Sequence, residues 1–265
     1  MKKIFNKIIV FVAFLTFVIY SCYEPSEGCL ESFYGNYDVT ADKPCSDCCL
    51  LPQLSLNFSY QVDSVTLDTF FYQNNLGLDF RIIDFFLLFN DLNLNGILGN
   101  YQIISEDPTL LVSDLSMTRL GEKNTSIRGV MIIDTITGFD LNLGIPTSIA
   151  NTRSDYMNYP ELEYLYENEE YLSDGSFYSA GIDIVLDSLS NDTLQYRFEE
   201  IIQDNILQSF LIEDGVAVNK GGGFGVSLVL DFSKLLQDID IQDSNNPNIF
   251  RQKLSNNFKL ALGAN

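Results

Sequence analysis

The stretch QLSLNFSYQV, Gln53–Val62, alternates apolar and polar residues without a break. Leu54, Leu56, Phe58, Tyr60 and Val62 fall on one face of an extended chain, because successive side chains of a strand point to opposite sides. A helix would scatter the same five residues around its axis, so the period predicts a strand. Strand-like runs recur at 65–71, 78–89, 97–104, 127–136, 182–189, 194–201, 208–212 and 226–232. They are rich in β-branched and aromatic residues and are bounded by Gly, Asn, Asp or Pro. Helical patterns are few and late. SKLLQDI suits a short helix capped by Ser233, and NPNIFRQKLSNNF suits another, with Asn246 as cap and Pro247 in the first turn. Many strands with few helices predict an all-β fold: an antiparallel two-sheet β-sandwich of Greek-key type, with one or two short helices near the C-terminus. Residues 53–265 are expected to form this one domain.

The first 21 residues read as a signal peptide. Lys2, Lys3 and Lys7 make a positive start, and residues 8–20 form an uncharged apolar run too short for an ordinary membrane span. The run ends in VIYSC, which resembles the lipobox of bacterial lipoproteins. Ser21 fits the small residue before the cut, Ile19 fits the aliphatic position, and Tyr20 departs from the usual small residue. The resemblance implies that Cys22 is acylated and that lipid chains, not a spanning helix, hold the protein to a membrane. Glu24 and Glu27 follow closely, as in the surface-export signals of Bacteroidota-type lipoproteins. The expected address is therefore the cell envelope, anchored at the outer membrane on its periplasmic or its surface-exposed face.

Residues 22–52 lack periodicity, contain every cysteine, and read as a tether. With Cys22 acylated, Cys29, Cys45, Cys48 and Cys49 remain, an even set in an exported chain, so disulfides are expected. A Cys48–Cys49 bridge is strained, which leaves Cys29 joined to Cys48 or Cys49 and Cys45 taking the other. A four-thiolate zinc site on Cys45-x-x-Cys48 is the rival, disfavoured by an oxidising compartment and by the lack of a second spaced pair. The whole chain carries 15 basic and 36 acidic residues. Loss of Lys2, Lys3 and Lys7 with the signal leaves 12 against 36, a net of −24. That field repels phosphate backbones and argues against nucleic acid as a partner.

Little in the sequence carries chemistry. The chain has no histidine, which excludes histidine triads and histidine-ligated metals. Nothing selects a catalytic pair among the acids, so no catalytic residue, no cofactor and no enzyme activity is expected. NDLNLNGILGNYQ, residues 90–102, approaches a calcium loop, with Asp91, Asn93 and Asn95 at positions 1, 3 and 5 and Gly96 at position 6. Position 12 is Gln102, a neutral amide where calcium needs a carboxylate, and the preceding run is strand-like. The stretch therefore reads as a hairpin turning at Asn95-Gly96. KGGGFG, residues 220–225, lacks the spacing of a phosphate loop and reads as a lead into a strand. Asp238, Asp240 and Asp243 offer a second calcium reading, with a polar turn the simpler account. No metal site is assigned. Residues 144–180 lack alternation and are rich in tyrosines and acids. Tyr156, Tyr159, Tyr164, Tyr166, Tyr171 and Tyr178 are the candidate contact surface for a sugar or a protein partner, unless the segment folds down and buries the rings.

Three segments together resemble the methanobactin-cassette P-type (MbnP-like) domain family. Residues 54–96 look like its opening strand, Tyr-x-Asn-x-x-Gly turn and long apolar strand, with Tyr72, Asn74 and Gly77 near the turn. Residues 127–148 are similar to its strand ending in a Gly-Val-Asp-like turn, with Phe139 and Asp140 in the last two places. Residues 226–241 resemble a late strand running into a short helix. The resemblance implies an exported β-sandwich linked to copper handling, with a di-haem enzyme and an outer-membrane transporter as partners. The family's copper ligands are histidines and an oxidised tryptophan. This chain has neither His nor Trp, so those ligands map onto no position here. The expectation is a non-enzymatic binding protein of the envelope, with a surface glycan-binding or adhesion module as the alternative.

Overall fold

A computed structural model of the chain describes residues 24–102, 115–121, 125–129, 134–145, 159–172, 176–186, 193–198, 207–241 and 247–264. In chain order the strands are β1 (Glu27–Gly28), β2 (Lys43–Pro44), β3 (Gln53–Val62), β4 (Val65–Thr66), β5 (Tyr72–Gln73), β6 (Asp79–Gly96), β7 (Asn100–Gln102), β8 (Ser116–Arg119), β9 (Thr125–Gly129) and β10 (Asp134–Leu143). After them come β11 (Ala180–Val185), β12 (Thr193–Phe198), β13 (Leu207–Val218), β14 (Phe224–Asp231) and β15 (Leu262–Ala264). Three helices are described: α1 (Pro160–Glu167), α2 (Phe232–Leu235) and α3 (Pro247–Ala261).

The fold is an all-β sandwich of two sheets. One has five strands in the order β15-β14-β3-β4, with β9 also on β3. The other has eight, ordered β12-β11-β6-β10-β13, with β5, β7 and β8 also on β6. Pairing is antiparallel throughout these sheets except between β3 and β14, which run parallel from Leu54 opposite Phe224 to Gln61 opposite Asp231. A parallel pair needs a long crossover. Here the crossover contains all eight strands of the larger sheet.

The spine is β6, 18 residues long. Its core-facing residues are Phe80 and Ile82, then Phe85, Leu87 and Phe89, then Leu92 and Leu94. Each change of phase falls at a break in register, against β11 between Asp183 and Ile184 and against β10 between Asp140 and Asn142. A bulge inserts one residue and flips the faces that follow. The two bulges therefore keep a long bent strand pointed at one core. From β3, all five alternating residues meet it. At one end α2 and α3 close the core: Phe85 meets Phe232 edge-on at 5.4 Å and Phe258 at 6.4 Å.

Several expectations are corrected in detail. The run 65–71 is a strand only to Thr66, after which Leu67 N–H donates to the Tyr60 carbonyl (2.8 Å) and the chain leaves the sheet. The run 127–136 is divided between β9 in the smaller sheet and β10 in the larger. The hairpin of residues 90–102 exists, but Asn95 pairs with Asn100 inside the ladder, so the turn lies at Ile97-Leu98. Asp134 draws it there. Its Oδ2 accepts from Leu98 N–H and from the Tyr101 hydroxyl, both at 2.9 Å. The cap of α2 is Asp231, whose carboxylate accepts from Ser233 N–H at 3.0 Å and Ser233 Oγ at 2.6 Å. Asn246 lies outside the described residues, and α3 does begin at Pro247.

The Tyr72-x-Asn74-x-x-Gly77 turn is as the sequence reads. Buried Asn74 accepts from Leu76 and Leu78 N–H through its Oδ1, both at 3.0 Å, and Gly77 takes φ +75°. The described part of the tether is folded rather than a plain spacer. Cys29 bonds Cys49 and Cys45 bonds Cys48, one of the two pairings left open. Lys220 lies 3.8 Å over the Phe33 ring, and Gly221, at φ +70°, comes close to the Ser32 and Tyr34 carbonyls. Gly221 thus lets residues 32–34 pack closely on the loop between β13 and β14.

Candidate functional site

Between β4 and β5 the chain crosses from one sheet to the other along one edge of the sandwich. A cavity of about 580 Å³ opens there. Its apolar walls are Phe58 and Tyr60 of β3, Leu67 of the crossing, Ile82 and Ile83 of β6, and Leu120 just after β8. The volume falls within the roughly 300–1,000 Å³ of small-molecule sites. Arg81, Ile82 and Ile83 all line it although they are consecutive. The first bulge of β6 lies here and interrupts the alternation that would send them to opposite faces.

Two charged residues line the cavity among those the structure describes. Asp68 is exposed, and its Oδ1 accepts from Thr69 N–H at 2.6 Å and Thr69 Oγ1 at 3.3 Å. Arg81 lies with its guanidinium 5.1 Å over the Phe71 ring. Its Nε is buried and has no acceptor among the described residues. A buried donor left unpaired costs free energy, on the order of 1–3 kcal/mol and more when charged. Neither residue was singled out in the sequence. The one available signal was a lone arginine inside the apolar run of residues 78–89.

The tyrosines gather elsewhere, on the outer face of β6. Phe86 and Leu88 point away from the main core and meet Leu115 and Met117. Over them lie Leu162 and Leu165 of α1, and Phe177. The segment expected to be a loop thus contains a helix, started by Pro160 at a position where its missing N–H is harmless. Tyr159, Tyr164, Tyr166, Tyr171 and Tyr178 pack partly buried against this second cluster. Tyr156 lies outside the described residues. Tyr166 and Tyr171 stack at 5.9 Å, and the Arg119 guanidinium sits 3.9 Å over Tyr164.

Arg197 of β12 fastens this cover. It donates to both oxygens of Glu170, through Nε to Oε2 and through Nη2 to Oε1 at 2.6 Å, and through Nη1 to Asp183 Oδ1 of β11 at 2.6 Å. Burial works against its charge. The hydrogen bonds and charges of the two carboxylates outweigh that and raise its pKa above the ordinary arginine value. This is a clamp between cover and sheet, with every partner engaged.

The side chains of Asp91 and Gln102, which the first calcium reading uses, lie outside what the structure describes. Among the described residues no group of three His, Cys, Asp or Glu side chains is placed to hold a metal. Asp238 accepts from Asn75 Nδ2 at 2.6 Å and its N–H donates to Asn75 Oδ1 at 2.9 Å, which makes it part of a turn. Asp243 lies outside the described residues. The chain has no His, and Cys29, Cys45, Cys48 and Cys49 are joined in disulfides, so neither residue type offers copper a ligand among the described residues. The disulfides also leave no thiolates for the zinc alternative.

No family model matches the chain, and no curated protein matches it. Among solved structures the fold is similar to "MbnP from Methylosinus trichosporium", at TM-score 0.46 and 10% identity, over 69% of this chain and 76% of that one.

Proposed function

We propose that this chain is a lipid-anchored protein of the bacterial cell envelope whose sandwich is a non-enzymatic binding module. The observation that carries the reading is the apolar cavity at the sandwich edge, held open between β3 and the bulged start of β6. The reading of an anchor is supported by the leader and by Cys22, which would carry acyl chains just ahead of the disulfide-bonded residues 29–49. The MbnP-like segments support kinship with exported proteins of copper handling and keep an outer-membrane transporter as a partner. They do not bring copper with them, and a di-haem partner acting on tryptophan would find no tryptophan here.

Two measurements test this. Cys22→Ala should move the full chain from the membrane to the soluble fraction, and a variant that stays in membranes places the anchor elsewhere. The full-length Cys22→Ala protein should bind the neutral apolar dye Nile red. Leu67→Trp, which fills the cavity, should abolish that binding while the melting temperature holds. A second reading, a glycan-binding or adhesion face, is favoured by the stacked and half-buried pair Tyr166–Tyr171. Binding on a glycan array that is lost with Tyr166→Ala would support it. Binding unchanged by Tyr164→Ala and Tyr166→Ala would count against it.

A further inference from the structure

We infer that the edge cavity takes a linear amphiphile with an anionic head, of the fatty carboxylate class, and that Arg81 receives the head. The inference rests on the binding reading above and adds the chemistry of the occupant. The walls Phe58, Leu67, Ile82, Ile83 and Leu120 offer hydrocarbon and no strong polar partner, which suits a chain of methylenes. Among the described residues Arg81 is the one cation lining the cavity. A guanidinium matches a carboxylate through two parallel donors. Its buried Nε lacks an acceptor, and its described contact is the Phe71 ring. A carboxylate in the cavity would give this half-buried guanidinium an anionic partner.

Asp68, the one anion on the wall among the described residues, is exposed and already accepts twice from Thr69. The acidity of the chain as a whole does not exclude an anion here. At about 0.1 M salt, exposed charges more than about 10 Å away are largely screened, while a contact pair in an apolar site is not. A polar headgroup without charge would leave the half-buried Arg81 beside a neutral partner. The class is therefore an anionic amphiphile rather than an alcohol or a neutral glyceride.

The test is displacement of Nile red from the delipidated full-length Cys22→Ala protein by dodecanoate and by dodecanol. Dodecanoate should displace the dye at a concentration at least about tenfold lower, as expected of a charge-assisted hydrogen bond formed away from water. Arg81→Gln should raise the dodecanoate midpoint to that of dodecanol and leave dodecanol unchanged. Arg81→Lys, which keeps the charge, should retain most of the preference and guards against a folding defect in the glutamine variant. Equal displacement by acid and alcohol overturns the head-group assignment and leaves the binding reading standing. A preference that survives Arg81→Gln also overturns it. Absence of Nile red binding in the parent protein removes the binding reading and this inference together.

Discussion

The two faces of β6 are covered in different ways. Toward the core, Phe80, Ile82, Phe85, Leu87, Phe89, Leu92 and Leu94 meet a second sheet and two helices, all apolar. On the other side only Phe86 and Leu88 need covering, and a short helix with half-buried tyrosines does it. The core face is held mainly by apolar area, with the Tyr60 hydroxyl hydrogen-bonded to Thr118 and Arg119 of the larger sheet. The outer face is held by a small apolar patch and by Arg197, which ties Glu170 of the cover to Asp183 of the sheet. An apolar sheet-on-sheet core fails as a unit, whereas a cover of few contacts can open locally.

The largest effect is expected in the core. Phe89→Ala removes a fully buried ring that lies 5.4 Å from Phe58 and should cost about 3–5 kcal/mol in denaturant unfolding. Exchange protection should fall across both sheets. If only α1 loses protection, the two faces are not distinct cooperative units.

Next comes Arg197→Met. It leaves Glu170 and Asp183, 16% and 11% exposed, without their cation, at a cost of roughly 3 kcal/mol. Hydrogen exchange should rise first in residues 159–172, with β3 and β14 still protected. Simultaneous loss in β3 would show that the clamp serves the whole sandwich.

The smallest effect lies in acid. Asp134 is pulled in two directions: burial works to raise its pKa, while hydrogen bonds from Leu98 N–H, Thr135 N–H and the Tyr101 hydroxyl hold it below the ordinary carboxylate value. A depressed pKa contributes stability that is present above the unfolded-state value of about 3.9 and is lost as pH falls through the folded one. The stability gap between the parent protein and Asp134→Asn should be full above about pH 5 and should close below about pH 4. The change should reach the β6–β7 hairpin and leave the cover untouched. A gap that does not depend on pH would mean that Asp134 acts by shape alone.

Much of the fold was legible because period-2 alternation is a local property. Gln53–Val62 forms β3 as read, and its five apolar residues are the five that enter the core. The Asn74 turn, expected from the family resemblance, is also local, since its hydrogen bonds close within four residues. Residues 78–89 and the hairpin after them were harder. Their apolar residues change phase at two bulges, and a bulge is set by the neighbouring strands. The turn at Ile97-Leu98 was misplaced at Asn95-Gly96 because Asp134, 36 residues further on, accepts from Leu98 N–H. Of the candidate site, the tyrosines were visible as composition, but their place over Phe86 and Leu88 was not.

By itself the sequence determined the all-β class, the limits of the main domain as an expectation, the candidate disulfide set, and the lack of histidine chemistry. These follow from local period, spacing and residue type. Tertiary structure alone decided which strands share a sheet, the parallel pairing of β3 with β14, the bending of β6 around one core, and the cavity that brings Arg81 beside Leu67 and Leu120. The reason is physical: a cavity is bounded by residues distant in the chain, and no local pattern records where their surfaces fail to meet.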